Sequence, residues 1–167
     1  MTLEEAITLA IEYETRVRDA YLEAVKGTDS EVGKRVFNVL GDEEQGHIDF
    51  LKSRLDEWKR TGKVTPETMS TVVPSQAVVE AGIKKLDQHM ARKDYGVELQ
   101  MLQKALDMEI ETSNFYRKMV GEMGDDGALF ARFLEIEEGH QAIVQAEIDY
   151  LSRSGTLFDF QEFTQED

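Results

Sequence analysis

Apolar residues recur at alternating intervals of three and four in four long segments of the chain, which is the spacing of one face of an α-helix. The first helix is predicted from Thr2 to about Lys26, where Thr2 and Glu5 have the spacing of a capping box. After a turn at residues 27–29, a second helix is predicted to about Arg60. Because the turn is short, the two helices are expected to form an antiparallel hairpin.

A second pair of helices follows the same pattern. One is predicted from about Tyr95 to Met123 and the other from there to about Arg153, with Asp125 or Asp126 as the cap between them. Helices of about 25–30 residues extend about 40–45 Å, which is longer than the average helix of a globular protein. Long helices joined by short turns are typical of a helical bundle.

The segment between the two pairs is the least periodic interior part of the chain, and it contains both prolines, Pro66 and Pro74. It covers about residues 61–94, enough to return along the bundle, and residues 75–92 predict a short connecting helix. The fold is therefore predicted to be all-α, a four-helix bundle of two helical hairpins with one long crossover connection. The predicted bounds are 1–153 for the bundle and 154–167 for an acidic and aromatic C-terminal tail.

The two hairpins resemble each other in sequence, which indicates an internal duplication. The shared positions include ionisable residues where the helical pattern otherwise places apolar ones. The equivalent pairs are Glu14 with Glu109 and Tyr21 with Tyr116, at an offset of 95 residues, and Glu44 with Glu137 and His47 with His140, at an offset of 93.

The duplicated glutamates and histidines predict a dinuclear metal site in the bundle interior. Buried carboxylates are costly, and four of them close together cannot all stay ionised without opposing charge. Two divalent cations would balance four glutamates, and a Glu and a His three residues apart lie on the same helical face. Oxygen-rich ligation with one imidazole per metal suits Fe or Mn and leaves Zn open. The predicted metal ligands are Glu14, Glu44, His47, Glu109, Glu137 and His140.

Charge and composition narrow the range of partners. The 34 acidic residues exceed the 19 basic ones, for a formal net charge of −15, and the basic residues are scattered, so we expect no nucleic-acid partner. The absence of Cys excludes disulfides and thiolate metal sites. The N-terminus lacks the pattern of a secretory signal, and no stretch has the ~18 uncharged apolar residues of a membrane span. A cytoplasmic protein with no membrane partner is therefore expected.

The sequence resembles the rubrerythrin family, di-iron carboxylate proteins of the ferritin-like superfamily. The resemblance extends over nearly the whole chain apart from the crossover and the tail. It implies ferritin-like topology and two iron ions with an oxo or hydroxo bridge. It implies bridging by Glu44 and Glu137, terminal ligation by Glu14 and Glu109, and one metal each for His47 and His140. The matching residues are Glu14, Glu44-Gln-Gly-His47, Glu109 and Glu137-Glu-Gly-His140, with Tyr21 and Tyr116 each seven residues after a glutamate.

The resemblance also implies a function. Family members react Fe(II) with peroxide or dioxygen and often form dimers, sometimes by exchanging helices. We therefore expect a homodimeric oxidoreductase of oxidative-stress defence or iron metabolism. A rubredoxin module needs four Cys and these 167 residues have none, so the expected electron donor is external, such as a rubredoxin-like protein. Position 112 is Thr where peroxide-reducing members have a further Glu, and Glu111 lies on another helical face.

Several alternatives fit the same residues. The protein could be a ferroxidase that feeds an iron storage or carrier assembly, a structural bundle held together by its metals, or a metal-free bundle with satisfied core polar residues. Tyr21 and Tyr116 fit either hydroxyls that hydrogen-bond ligand carboxylates or plain core aromatics. Arg54 and Glu147, each seven residues past a histidine, could pair at one end of the bundle or lie on a solvated face.

Overall fold

The computed structural model describes residues 1–65, 69–85 and 96–161. They form five α-helices and contain no strand. A single 3₁₀ turn, Gly124–Gly127, precedes the last helix. The helices are α1 (Leu3–Gly27), α2 (Glu31–Thr61), α3 (Gln76–Lys85), α4 (Gly96–Glu122) and α5 (Ala128–Ser154).

The four long helices form the bundle that the hydrophobic pattern predicts. Helices α1 and α2 pack as one hairpin and α4 and α5 as the other, with α1 also packed against α4. The hydroxyl of Thr28, just after α1, donates a 2.8 Å hydrogen bond to Glu98 near the start of α4, so these two helices are antiparallel. This arrangement confirms the prediction of an all-α, ferritin-like bundle.

The helix ends agree with the sequence prediction to within about two residues, with one difference at α5. The capping box is present: Glu5 N donates to the Thr2 hydroxyl at 3.1 Å, and Thr2 N donates to the Glu5 carboxylate at 2.8 Å. The prediction that Asp125 or Asp126 caps α5 is wrong, because the residue before α5 is Gly127, without a side-chain cap. Both aspartates lie inside the 3₁₀ turn, which is held by backbone hydrogen bonds.

Two apolar clusters occupy the two ends of the bundle. One contains Tyr21, Phe37 and Leu102 together with the C-terminal part of α5. The other contains Leu3 and Phe130 together with the C-terminal parts of α2 and α4. The buried glutamates and histidines lie between the two clusters, so the polar cluster is enclosed by apolar side chains on both sides.

The crossover passes over α5. Arg132 donates through Nε to the carbonyl of Met69 at 2.9 Å, and a Cβ on Gly139 would come within 3.3 Å of the Pro74 carbonyl. Helix α3 then packs against α5. The connecting helix expected over 75–92 is present as far as Lys85, and the rest of that range lies outside the described residues.

The first part of the predicted C-terminal tail packs against the bundle. Leu157, Phe158 and Phe160 are buried in the same apolar cluster as the end of α5. Glycine at position 155 has φ 76° and ends α5, so the chain turns back onto the helices. Residues 162–167 of the predicted tail lie outside the described part of the chain.

None of the helices in the described residues is both long enough and apolar enough to cross a membrane.

Candidate metal centre

The structure brings the six predicted ligands together at the middle of the bundle. One glutamate comes from each long helix, and the two histidines each follow a glutamate by three residues on α2 and α5, which places them on the same helical face. Their whole-residue exposure is 1% or less, so the cluster is shielded from bulk water. The residues are Glu14 on α1, Glu44 and His47 on α2, Glu109 on α4, and Glu137 and His140 on α5.

Both imidazoles direct their Nδ1 atoms at the carboxylates. His47 Nδ1 lies 3.3 Å from Glu14 Oε2 and 3.2 Å from Glu137 Oε1. His140 Nδ1 lies 2.7 Å from Glu44 Oε1 and 3.6 Å from Glu109 Oε1. The nitrogen atoms that a metal would use therefore face the centre of the cluster.

The ligand atoms fall into two overlapping sets. One set consists of Glu14, Glu44, His47 and Glu137, and the other of Glu109, His140 and the same two glutamates, with the atoms of each set within 4.8 Å of one another. Glu44 and Glu137 belong to both sets, so these two carboxylates lie within reach of both candidate metal positions. Three carboxylates and one imidazole per ion form a hard, oxygen-rich donor set.

Unpaired oxygen atoms show that the cluster has coordination capacity left over. Within the described residues, Glu44 Oε2, Glu109 Oε2 and both oxygens of Glu137 are buried without a hydrogen-bond partner. A buried carboxylate oxygen without a partner is costly, and a cation supplies the missing interaction. The residues present therefore fit a pair of divalent cations.

The two tyrosines connect the halves of the duplication. Tyr21 of the first hairpin donates its hydroxyl to Glu109 Oε1 of the second at 2.5 Å, and Tyr116 of the second donates to Glu14 Oε1 of the first at 2.5 Å. Both rings are fully buried. Each tyrosine thus binds one carboxylate oxygen of Glu14 or Glu109, the two glutamates that belong to a single ligand set. The second oxygen of each glutamate is not bound by the tyrosine.

The electrostatics separate the four glutamates into two classes. Burial, reinforced by neighbouring carboxylates, raises the pKa of Glu44 to about 8 and raises the pKa of Glu137 well above its usual value. Burial also opposes ionisation of Glu14, but the charge of His47 and the Tyr116 hydrogen bond outweigh it and lower its pKa to about 2. The pKa of Glu109 is lowered despite burial, because His140 and Tyr21 stabilise its ionised form.

The two histidines have pKa values well above their ordinary range. Burial alone would lower the pKa of His47, yet Glu14 and Glu44 raise it, and Glu44, Glu109 and Glu43 do the same for His140. In the metal-free cluster, proton binding by the imidazoles and by Glu44 and Glu137 therefore offsets part of the carboxylate charge, which explains how the cluster can be buried without metal.

The comparison with known families agrees with this geometry. The Rubrerythrin family model matches residues 5–148. The chain belongs to the rubrerythrin family. Among curated proteins and among solved structures, none matches the chain. Rubrerythrins are di-iron carboxylate proteins. The buried cluster of glutamates and histidines is compatible with a metal site of that kind.

Position 112 is where this member of the rubrerythrin family differs from the expected ligand pattern. Thr112 is buried one turn after Glu109, and its hydroxyl donates to the Met108 carbonyl at 2.8 Å. Glu111 is exposed to solvent. The side chain at 112 therefore bonds its own helix, and the neighbouring glutamate points away from the cluster.

The hypothesis that Arg54 and Glu147 pair is wrong. The apolar cluster at one end of the bundle contains Leu51 and Leu55, which flank Arg54, while the cluster at the other end contains Ile148. Helices α2 and α5 are antiparallel, so the residues seven positions after His47 and after His140 lie toward opposite ends of the bundle. Glu147 is not solvated either, since it is fully buried and accepts a 3.1 Å hydrogen bond from Phe158 N.

Sequence reasoning missed Glu43, which lies next to both histidines. Its Oε2 is 3.8 Å from His47 Nε2 and 3.5 Å from His140 Nε2, and the nearby imidazoles together with hydrogen bonds from Thr71 and Val72 lower its pKa despite burial. A signal was present, because Glu43 and His47 are four residues apart and so share a helical face. The duplication concealed it, since the equivalent position is Ile136.

Proposed function

We propose that this chain is a non-haem di-iron oxidoreductase of the rubrerythrin type, which reacts Fe(II) with peroxide or dioxygen and is re-reduced by an external donor. The observation that carries the proposal is the pair of overlapping ligand sets, each with three carboxylates and one imidazole. When bound, two Fe(II) ions supply two electrons, which with two protons reduce one peroxide to two waters. The same donors also suit Mn and leave Zn open.

The glutamates and tyrosines of the cluster have different proposed roles. Glu44 and Glu137 are the shared ligands, while Glu14 and Glu109 each serve one ion. The hydroxyls of Tyr21 and Tyr116 hold protons against Glu109 and Glu14, and are the groups placed to pass a proton at those oxygens. Their proposed role is to orient the carboxylates and to donate protons.

A route for a small oxidant exists on the α2 side of the bundle. A cavity of about 460 Å³ is lined by His47 and Glu43 and, nearer its opening, by Asp42 and Gly46. Gly46 leaves this wall open, since a Cβ there would have no neighbour within 4 Å. Peroxide and dioxygen are small enough to enter such a cavity.

The electron donor and the oligomer belong to the same proposal. The proposed donor lies outside these 167 residues, which contain no Cys, and is of the rubredoxin type or a small reductant. All six metal-site residues come from one chain, so the proposed homodimer does not need exchanged helices to complete the site.

The decisive experiment loads the purified protein with Fe(II) without oxygen and then adds peroxide or air. We expect about two Fe per chain, a near-ultraviolet absorption band on oxidation, and repeated cycles when a rubredoxin-like reductant is supplied. Stoichiometric oxidation without turnover would favour iron storage or a structural role. Fewer than about one metal per chain after loading would contradict the site itself.

A matched pair of variants tests the ligand assignment. Glu44→Ala removes a shared ligand, so we expect loss of metal from both positions. Glu12→Ala, on the exposed face of α1, should bind metal like the unaltered protein. Equal metal contents in the two variants would overturn the assignment.

A further inference from the structure

The two metal-site histidines each have an Nε2 atom that points away from the carboxylates of the cluster. The rings of His47 and His140 are stacked, with centroids 5.3 Å apart and planes inclined by 19°. Within the described residues, both Nε2 atoms are buried without a hydrogen-bond partner. An imidazole bound to a metal through Nδ1 carries its proton on Nε2, and an unpaired buried N–H is costly.

A single carboxylate faces both of these nitrogens. Glu43 Oε2 lies 3.5 Å from His140 Nε2 and 3.8 Å from His47 Nε2, a few tenths of an ångström beyond ordinary hydrogen-bond length. The Glu43 side chain is only 8% exposed. The repeat-equivalent residue, Ile136, has no carboxylate to offer, so one glutamate on α2 serves the histidines of both hairpins.

The crossover holds this carboxylate in place. Thr71 donates its hydroxyl to Glu43 Oε2 at 2.6 Å, and Val72 N donates to Oε1 at 2.7 Å. Val73 N in turn donates to the Thr71 hydroxyl at 3.0 Å. Both oxygens of Glu43 are therefore anchored, and the residue cannot turn freely into the neighbouring cavity.

We propose that Glu43 is a positioning residue shared by the two metal-binding histidines, accepting the Nε2–H of His47 and of His140 and so directing both Nδ1 atoms at the metals. This inference rests on the proposed metal centre. A third cation on the same three residues is disfavoured, because each Nε2 carries a proton while Nδ1 binds a metal. Through Thr71 and Val72, the crossover is mechanically linked to both metal positions.

Zinc binding to the intact chain tests the proposal without any redox step. Glu43→Gln keeps the size of the side chain and removes its charge. Thr71→Val removes one anchor of the carboxylate. The matched control is Asp42→Asn, which lines the same cavity from an exposed position. For each variant we would measure Zn²⁺ affinity and stoichiometry by competition, together with the ¹⁵N shifts of the histidine ring nitrogens.

We expect Glu43→Gln to weaken binding of both Zn²⁺ ions by about 10- to 100-fold, as for other carboxylate partners of metal-bound histidines. The Nε2 resonances of His47 and His140 should both move. Thr71→Val should act in the same direction by a smaller factor, and keeps the test available if Glu43→Gln does not fold. Asp42→Asn should change affinity by less than about twofold, and should leave both Nε2 resonances in place.

Four outcomes would overturn the proposal. They are unchanged affinity and shifts in Glu43→Gln, movement of only one histidine, an equal effect of Asp42→Asn, and a third Zn²⁺ that Glu43→Gln loses while the other two bind normally. The ¹⁵N shifts are also measured in the metal-free protein. A chain that binds no Zn²⁺ would therefore contradict the metal centre while the Glu43 contact is still tested.

Discussion

Individual protons decide the charge of the central cluster. In the metal-free protein, burial raises the pKa of Glu44 to about 8 and raises that of Glu137, and despite burial the neighbouring carboxylates raise the pKa values of His47 and His140. Divalent ions need ionised carboxylates and neutral imidazoles as ligands. Metal binding therefore competes with proton binding at these side chains.

We expect uptake of two divalent ions at pH 7 to release protons from the cluster. Because these pKa values are raised, the protons are bound below them, so affinity should weaken steeply as pH falls and level off above the raised pKa values. Calorimetric titration with Zn²⁺ in buffers of different ionisation enthalpy measures the number released. Metal uptake without proton release would show that the cluster is already deprotonated before the metal binds.

Glu147 is a second buried acid, and no metal site uses it. Burial raises its pKa well above the usual value, and its Oε1 has no hydrogen-bond partner among the described residues. A carboxyl group with a raised pKa in the folded state weakens folding as pH rises from its unfolded pKa toward the folded one. Glu147 therefore destabilises the protein at neutral and alkaline pH.

Glu147→Gln should raise the free energy of unfolding at pH 8 by about 1–3 kcal/mol, since the amide stays neutral and can still accept from Phe158 N. The gain should shrink at about pH 3.5, below the ordinary pKa of about 4.3 of an unfolded glutamate, where the carboxyl group is mostly protonated in both states. Urea denaturation at the two pH values measures it, with Glu12→Gln on the exposed face of α1 as control. A gain independent of pH would mean that ionisation of Glu147 is not the cause.

At the level of helices, the duplication is symmetric in sequence and asymmetric in packing. Gly46 on α2 and Gly139 on α5 are equivalent in the repeat. A Cβ at Gly46 would meet nothing within 4 Å, whereas a Cβ at Gly139 would lie 3.3 Å from the Pro74 carbonyl. Among the described residues, the crossover backbone lies close to Gly139 and not to Gly46, so equivalent glycines have different neighbours.

Gly46→Ala should stabilise the protein by about 0.5–1 kcal/mol, because alanine is the better helix former. Gly139→Ala should gain less than this or lose stability, because its methyl group crowds the crossover backbone. Denaturation of the two variants side by side in the metal-free state provides the comparison. A larger gain for Gly139→Ala would contradict the close approach of the crossover to α5.

For the molecule as a whole, the polar cluster separates two apolar clusters. Without metal, its buried oxygens lack partners, so the centre of the bundle contributes less to stability than its ends. Cations bound there would connect all four long helices. Folding and metal binding should therefore be thermodynamically linked.

We expect saturation with Zn²⁺ or anaerobic Fe(II) to raise the melting temperature by about 10–20 °C, since each of two ions contributes about 2.7 kcal/mol at a metal concentration 100 times its Kd. Calorimetry with and without chelator measures the change. Glu44→Ala should lose most of the shift and Glu12→Ala should keep it. An equal shift in both variants would place the stabilising metal outside the cluster.

The sequence by itself determined the helices, the duplication and which ionisable residues lie on the apolar faces of the helices. A helical period is a local property, so spacing alone places Glu14 and Glu44 on the apolar faces of their helices. The same logic predicted the capping box at Thr2, which the structure confirms. It also placed the crossover, because prolines and an irregular pattern mark it directly in the chain.

Only the tertiary structure decided which partners these residues have. Tyr21 binds the glutamate of the other hairpin, Glu43 faces both histidines, and Glu147 lies under the C-terminal segment. Each contact depends on the relative direction of helices and on segments far apart in the chain. A repeat comparison assumes that equivalent residues have equivalent neighbours, and the single crossover of this fold removes that equivalence.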